Sequence, residues 1–191
     1  MTTTVVAASV DDPPAGYPSD WEQDAVLKDG HTIRVRPIAP GDTEGLQDLV
    51  RSMSTESSYF RFFRVKRELT PDELEEFTRL DYRSRMALVA VHEGRIIGVG
   101  RYNAIDADPA LAEVAFTVAD GFHGRGIGSL LLFRITAYAR SKGIRGFRAH
   151  LLADNHAMMR VFRNAGFTLT RDIDEGVYTV DFPTEESDAV L

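Results

Sequence analysis

The glycine-rich run at residues 124–128 constrains this chain more than any other feature of its sequence. It reads Gly-Arg-Gly-Ile-Gly and stands between a strand-like run at residues 112–118 and a helix-like run at residues 129–142. A glycine turn between a strand and a helix brings free backbone N–H groups and the positive end of a helix dipole to one point. We therefore expect this turn to bind a phosphate-bearing ligand.

Two common phosphate-binding templates do not fit the turn. A dinucleotide fingerprint needs a glycine at its sixth position, which is Ser129 or Leu131 here. A P-loop needs a lysine after its last glycine, where this chain has Ile127. What remains is a compact turn whose main-chain donors could hold a pyrophosphate, with Arg125 adding positive charge.

Length and charge favour one near-neutral globular domain. The chain has 191 residues, of which 43% are apolar and 27% charged. Its formal charge of -7 comes from the two ends, because residues 1–27 hold five acidic and no basic residues, and residues 183–191 hold three more acidic ones. Residues 28–182 therefore carry a net charge of +1. A domain without a broad basic surface is not expected to bind nucleic acid.

Several kinds of chemistry and location are excluded by what the sequence lacks. The chain has no cysteine, so it has no disulfide framework, and any acyl transfer proceeds without a cysteinyl intermediate. Its histidines show no metal-ligand spacing with carboxylates, so we predict no metal site. No secretory signal and no apolar run of roughly 18 residues is visible, so we predict a cytoplasmic protein with no membrane partner.

The order of elements indicates a mixed α/β fold, with a sheet that carries helices on both faces. The strand-like runs are residues 32–36, 86–92, 96–102, 112–118, 147–152, 167–173 and 177–182. The helix-like runs are residues 40–53, 55–63, a stretch that begins with the capping box Thr70-Pro71-Asp72-Glu73, residues 129–142, and residues 155–165 with Gly166 as the C-cap. We expect one domain at residues 25–182, a disordered acidic leader at 1–24 and a disordered acidic tail at 183–191.

These motifs resemble those of a known superfamily. Residues 123–128, His-Gly-Arg-Gly-Ile-Gly, resemble the Gln/Arg-x-x-Gly-x-Gly/Ala pyrophosphate loop of the GNAT acetyltransferases, and residues 155–167 resemble their Asn…Gly-Phe segment. Five further motifs resemble the bacterial Pat-type protein lysine acetyltransferases: Tyr-Phe-Arg-Phe-Phe at 59–63, Leu-Thr-Pro-Asp-Glu-Leu at 69–74, Asp-Tyr at 81–82, Met-Ala-Leu-Val-Ala at 86–90 and Ala-Glu-Val-Ala at 112–115. The resemblance implies a GNAT fold with a central, mostly antiparallel mixed sheet of six to seven strands, flanked by helices on both faces.

The same resemblance implies acetyl-CoA as the acyl donor and assigns its binding residues. The main chain near Phe116, Thr117 and Val118 is expected to hold the pantetheine arm, and the Val118 N–H is expected to polarise the thioester carbonyl. The pyrophosphate loop is expected to comprise His123, Gly124, Arg125, Gly126, Ile127, Gly128 and Ser129. Asn155 is expected to bind the pantetheine, although a plain helix N-cap explains it equally well.

A general base is needed because an amine attacks a thioester only in its unprotonated form, and lysine has a pKa of about 10.4. Strand alternation places Glu113 on the same face as the small residues Ala115 and Thr117, which leaves room for a substrate. In the Pat-type enzymes a glutamate at the matching place serves as the base, so Glu113 is our candidate. The alternative is a solvent-exposed carboxylate at the edge of the sheet.

The chain departs from the superfamily pattern at two positions. His123 replaces the usual Gln or Arg of the loop, and Phe162 replaces a tyrosine that protonates the departing thiolate in many members. Phenylalanine donates no proton, so we expect water or direct release of the thiolate. The basic residues between Arg61 and Arg67, interleaved with aromatics, either bind a phosphate or an acidic protein surface, or form an amphipathic helix end with the aromatics inward. We favour the second interpretation.

The predicted function is transfer of the acetyl group of acetyl-CoA to a primary amine. A protein lysine, for example in an acyl-CoA synthetase, is the favoured acceptor, attacked directly in a ternary complex. Two alternatives stay open: an N-acetyltransferase of small amines or amino acids, and an acetyl-CoA-binding sensor without turnover. The sequence leaves the oligomeric state open.

Overall fold

Eight strands form a single sheet in the computed structural model, which describes residues 14–165 and 170–185. The strands are β1 (Gln23–Val26), β2 (Thr32–Pro37), β3 (Arg85–His92), β4 (Arg95–Ile105), β5 (Asp108–Val118), β6 (Gly146–Leu152), β7 (Thr170–Asp174) and β8 (Val177–Pro183). The helices are α1 (Thr43–Arg51), α2 (Thr55–Phe62), α3 (Pro71–Thr78), α4 (Ile127–Ser141) and α5 (His156–Asn164), with 3-10 turns at Ser19–Trp21, Pro40–Asp42 and Asp120–Phe122.

The order of strands across the sheet is β1-β2-β3-β4-β5-β6-β8-β7. All neighbouring strands are antiparallel except β5 and β6, which are parallel and joined by a crossover through α4. The predicted mixed, mostly antiparallel sheet with helices on both faces is therefore confirmed. The predicted C-cap at residue 166 and the predicted strand start at residue 167 lie outside the described residues.

Both faces of the central strands are buried, which explains why β3 is an unbroken apolar run. Met86 and Leu88 face a core shared with α4 and α5, whereas Ala87 and Val89 face a second core shared with α1 and α3. A strand covered on both faces gains from apolar residues at every position. None of the helices in the described ranges has the length and apolar character needed to cross a membrane.

Local signals in the sequence are matched by the structure at several element ends. The Thr70 hydroxyl accepts a hydrogen bond from the Glu73 N–H, and the Glu73 carboxylate accepts one from the Thr70 N–H, which completes the predicted capping box. The turn between β3 and β4 is formed by Glu93 and Gly94, which have φ angles of 48° and 75°. Positive φ at both central residues suits the right-handed twist of a hairpin.

The N-terminal boundary differs from the prediction, because part of the expected disordered leader is folded. Trp21 packs edge-on against Tyr138, with ring centroids 4.8 Å apart. Strand β1 then pairs with β2, and Arg34 forms ion pairs with Glu22 at 2.7 Å and Asp24 at 3.1 Å. Two of the acidic residues that suggested a disordered leader are thus the partners of an arginine in the neighbouring strand. Strand β1 brings the number of strands to eight, one more than the seven predicted.

The C-terminal boundary also lies further along the chain than predicted. Pro183 belongs to β8, where it is the register partner of Gly146 in β6. Thr184 is buried, and its hydroxyl donates a hydrogen bond to the carbonyl of Ile144 at 2.7 Å. Residues 183 and 184 therefore belong to the folded domain and not to the expected tail.

Candidate active site

Strands β5 and β6 run together for three residues and then part. Their register pairs are Leu111 with Gly146, Ala112 with Phe147 and Glu113 with Arg148. Beyond this point β5 continues to Val118 while still paired with β4, and β6 continues to Leu152 while paired with β8. Over residues 114–118 and 149–152 the two strands therefore present open backbone edges to each other.

The orientation of the open β5 backbone follows from its pairing with β4. The Ala119 N–H donates to the carbonyl of Ile97 at 2.9 Å, and Val118 is the register partner of Gly98. In an antiparallel pair the residues point their backbone groups alternately toward and away from the partner strand. The N–H groups of Val118 and Phe116 therefore point away from β4 and into the opening.

His123 fixes the end of this strand. Its Nε2 atom lies 2.8 Å from the carbonyl oxygen of Val118, and since a carbonyl only accepts, the ring nitrogen is the donor. The carbonyl of Val118 is thereby satisfied on the side that faces the opening. The side chain that replaces the expected Gln or Arg thus contacts the strand end within the structure, and we assign it this positioning role.

The glycine loop forms a cradle that other residues would not adopt without strain. Gly124 and Gly126 have φ angles of 77° and 94°, in the left-handed region that L side chains rarely occupy. Gly126 is also the N-cap of α4, and no side chain caps this helix end. No acidic residue lies in the first turn of α4. The N–H groups of that turn are therefore available to an anion, as predicted from the sequence.

The remaining loop residues contribute in different ways. The Ile127 side chain is 1% exposed and belongs to the core, so only its main chain can reach a ligand. Gly128 lies close to α5, because a Cβ atom there would stand 3.6 Å from Val161 Cγ2. Ser129 is exposed on the first turn of α4.

Arg125 is engaged by the protein itself. Its guanidinium forms an ion pair with Asp29 at 2.9 Å, donates to the carbonyl of Gly121 at 2.9 Å and lies over the ring of Phe122. The backbone N–H of His31, together with the charge of Arg125, holds the pKa of Asp29 below its ordinary value, so the pair persists at neutral pH. The positive charge that we expected from Arg125 is thus largely neutralised by Asp29.

Lys28 is a candidate site residue that sequence reasoning missed. It lies in the turn between β1 and β2, and its aliphatic carbons come within 3.6 to 3.9 Å of a Cβ atom built on Gly126. Within the described part of the chain its ammonium group has no carboxylate partner. No local motif marks this lysine, because 98 positions separate it from Gly126 and only the strand pairing of β1 with β2 brings it to the loop.

Asn155 and Phe162 lie on α5, beside the opening. Asn155 is the N-cap of this helix, and its Oδ1 accepts a hydrogen bond from the Met158 N–H at 3.1 Å. Phe162 is 1% exposed, and its ring packs against Phe116 and Phe182 at centroid distances of 6.1 and 5.0 Å. The structure therefore gives Asn155 a capping role and gives Phe162 a core position with no proton to donate.

Glu113 lies where β5 and β6 part. Its side chain is 59% exposed, and one carboxylate oxygen lies 3.8 Å from His150 Nε2. Its register partner Arg148 is committed to Asp181 through two hydrogen bonds of 2.8 Å, and this contact lowers the pKa of Asp181. Glu113 is thus accessible to a substrate and is not consumed by a strong ion pair.

Asp120 connects the turn before the glycine loop to α2. Its carboxylate accepts hydrogen bonds from the Ser54 N–H at 2.6 Å and from the Ser57 hydroxyl. Burial would raise the pKa of Asp120, but these hydrogen bonds outweigh it and hold the pKa below its ordinary value. The start of α2 is thereby anchored to the turn that precedes the glycine loop.

An open strand edge followed by a glycine cradle and an uncapped helix defines the class of the protein. Residues 52–167 match the Acetyltransferase (GNAT) family. The chain belongs to this family of acetyl-CoA-dependent acyltransferases.

Two curated proteins and one solved structure show which members it is similar to. It is 32% identical to Acetyltransferase Pat of Mycolicibacterium smegmatis, over 86% of this chain and 49% of that protein. It is 31% identical to Acetyltransferase PA5475 of Pseudomonas aeruginosa, over 81% of this chain and 84% of that protein. The GNAT domain of S. lividans PAT is 42% identical and superposes with a TM-score of 0.82, over 87% of this chain and 99% of that domain. The chain thus spans about half the length of Pat.

Proposed function

We propose that this chain transfers the acetyl group of acetyl-CoA to the side-chain amine of a protein lysine, by direct attack in a ternary complex. Acetyl-CoA supplies an activated thioester, and the residues of the chain bind it, orient it and remove a proton from the amine. Similarity to the Pat proteins supports a protein acceptor. We further propose that the catalytic domain comprises the predicted residues 25–182 together with the folded segments that flank them.

The observation that carries this proposal is the separation of β5 from β6 directly after Glu113. It produces a strand edge of free N–H groups with a carboxylate at its inner end. A pantetheine arm is an extended chain of amides, and such a chain can pair with an open strand edge as a further strand would. The residues present therefore fit the donor that the family uses.

The proposed binding roles follow the local geometry. Main-chain groups of Phe116 and Val118 hold the pantetheine, whereas the backbone groups of Thr117 point toward its register partner Val99 in β4. The N–H of Val118 donates to the carbonyl oxygen on which negative charge develops. The loop from His123 to Ser129 and the first turn of α4 hold the pyrophosphate. We add Lys28 to this set, since its aliphatic chain lies beside Gly126 and its ammonium group has no carboxylate partner among the described residues.

Glu113 is the proposed general base. A lysine amine is almost fully protonated at neutral pH, so a carboxylate that accepts its proton, directly or through a water, raises the fraction that can attack. The accessible carboxylate at the mouth of the opening supports this role. At the other end of the reaction, Phe162 offers no proton, so the departing thiolate takes its proton from solvent.

The test uses labelled acetyl-CoA and a lysate of the organism that encodes the chain. Wild-type protein and Glu113→Gln are each incubated with the lysate, and mass spectrometry identifies the acetylated residues. We expect lysine side chains of specific proteins to gain label with the wild type and to gain far less with the variant at pH 7. Label confined to small amines would replace the protein acceptor, and no release of CoA with any acceptor would refute the proposed function.

A further inference from the structure

Two arginines face one cavity above the side of β5 that is opposite to α4. Arg101 on β4 is the register partner of Ala115, and Arg61 lies near the end of α2. Both line a cavity with Ala115, Thr117 and the ring of Phe77. The other lining residues are apolar, apart from Thr117, so the two arginines supply the charged groups of this cavity.

Arg101 is buried without the partner that such a group requires. It is 7% exposed, its guanidinium lies 4.0 Å from the centroid of the Phe77 ring, and its Nε has no hydrogen-bond acceptor among the described residues. No carboxylate in the described ranges forms an ion pair with Arg101 or with Arg61. The negative charge of Glu76 on α3 acts on Arg101 only from an exposed position.

No acidic residue of the described ranges lines the cavity to balance the two arginines. Burial and, to a smaller extent, the positive charge of Arg61 together lower the pKa of Arg101 to about 9. Arg101 still keeps its charge at neutral pH, so a cation is held in the protein beside a second cation. An uncompensated buried charge is strongly unfavourable, and such sites are found where a ligand supplies the counter-charge.

The geometry of the guanidinium group indicates the shape of the missing group. A guanidinium is planar and directs its N–H groups outward in its own plane. A carboxylate is planar and can accept two parallel N–H groups in that plane. The cavity is therefore better matched by a carboxylate than by a group without such a planar fork.

We propose that Arg101 and Arg61 bind a carboxylate of the acceptor molecule, so that this enzyme acetylates amines whose molecules carry a carboxylate nearby. The inference rests on the proposed function for its use of Glu113 as the base. Ala115, opposite Arg101, stands two residues from Glu113 on the same face, which is about 7 Å along the strand. An amine at Glu113 and a carboxylate at Arg101 can therefore belong to one small amino acid or to neighbouring side chains of a peptide.

Matched acceptors test the proposal through kinetics. CoA release is measured with lysine peptides that carry Asp or Glu beside the lysine and with the same peptides carrying Asn or Gln, and also with free lysine and lysinamide. We expect carboxylate acceptors to have a kcat/KM roughly 10- to 100-fold higher than their amides. A preference in the peptide pair identifies a peptide carboxylate, and a preference confined to free lysine identifies a small acceptor.

Variants show whether Arg101 causes the preference. Arg101→Gln is expected to bring the carboxylate and amide acceptors to within about threefold of each other, since the charged partner is lost. Arg95→Gln, an exposed arginine on the same strand, serves as the matched control and is expected to keep the full preference. Equal use of both acceptors by the wild type, or an unchanged preference in Arg101→Gln, would overturn the proposal.

A binding measurement separates this inference from the proposed function. Arginine Nε–H signals are followed by NMR in the full chain while N-acetylglycine is added, with N-acetylglycinamide as the control. The Arg101 signal, identified by its absence in Arg101→Lys, is expected to shift with the acid and not with the amide. That result without any acetylation would refute the proposed function and leave Arg101 as a carboxylate-binding group only. Acetylation without the shift of the Arg101 signal and without a carboxylate preference would support the proposed function and refute the inference.

Discussion

Strand β5 separates two halves of the site that are built in different ways. On the side of the opening, the groups offered to a ligand are main-chain N–H groups of Val118, of the glycine loop and of the first turn of α4. On the opposite side, the groups are the side chains of Glu113, Arg101 and Arg61, which come from three different elements. The first half depends on backbone conformation, and the second depends on which residues the fold brings together.

The two halves should therefore respond differently to substitution. A main-chain site is lost when the backbone is displaced or covered, and it tolerates changes in side chains that point away. A side-chain site is lost when one charge is removed, even where the backbone is unchanged. Substitutions in the main-chain half should therefore lower acetyl-CoA affinity, and substitutions in the side-chain half should change the reaction rate or the acceptor preference.

The largest effect is expected for Gly126→Trp. A bulky side chain at a φ of 94° strains the loop and fills the cradle at the N-terminus of α4. We expect acetyl-CoA affinity to fall by roughly 100-fold or more, since several hydrogen bonds to charged oxygens are lost. Isothermal titration calorimetry measures this directly.

Gly143→Trp is the matched control for that experiment. Gly143 has a φ of 86° and open space around a built Cβ atom, so its substitution carries a similar backbone strain at the far end of α4. We expect its acetyl-CoA affinity to stay close to that of the wild type. If Gly126→Trp bound acetyl-CoA as well as Gly143→Trp does, the loop would not be the pyrophosphate site.

Glu113→Gln should affect the rate and leave acetyl-CoA affinity unchanged. We expect a rate at pH 7 about 100-fold lower, the range typical of a lost general base. The loss should shrink as the pH rises toward the lysine pKa of about 10.4, because the free amine then forms without the carboxylate. Initial rates of CoA release between pH 6 and 10 would show this convergence.

Two further variants decide whether Glu113 itself is responsible. Glu44→Gln removes an exposed carboxylate on α1 and should leave the pH profile unchanged. His150→Gln removes the imidazole that lies 3.8 Å from Glu113, and a loss larger than that of Glu113→Gln would transfer the role of base to the histidine. If Glu113→Gln and the wild type had equal rates at pH 7, Glu113 would not be the general base.

The sequence predicted the backbone conformation of the main-chain half well, because the signals for that conformation are local. A run of glycines between a strand and a helix specifies positive φ values and a helix start within a few residues. The capping box at Thr70 is equally local, and the structure contains it. The fold class followed from the same patterns.

The side-chain half was less accessible to sequence reasoning. The predicted strands ended at residue 102 and restarted at residue 112, whereas β4 and β5 extend to Ile105 and from Asp108. The register of that hairpin pairs Arg101 with Ala115, and tertiary packing then adds Arg61 from α2 and Phe77 from α3. Such contacts are set by the whole fold, which is why the sequence alone favours the structural one of the two interpretations of residues 61–67.

Lys28→Gln is expected to have a moderate effect on the main-chain half. The ammonium group beside Gly126 adds a long-range attraction to phosphate, so we expect the KM for acetyl-CoA to rise by roughly tenfold. The difference from wild type should shrink as ionic strength rises, because exposed charges are screened. Lys142→Gln, at the far end of α4, is the control and should leave KM unchanged. An unaltered KM for Lys28→Gln would remove this lysine from the site.

The smallest effect is expected on stability and concerns Arg101 in the side-chain half. Arg101→Met replaces an unpaired buried cation with an apolar side chain of similar length that can still pack on Phe77. We expect the free energy of unfolding in urea to rise by about 1 kcal/mol, whereas Arg101→Lys should bring no gain because the charge stays buried. A stabilised variant that has lost its preference for carboxylate acceptors would mean that Arg101 is kept for binding at the expense of stability. A fall in stability would instead mean that its contact with Phe77 is structural.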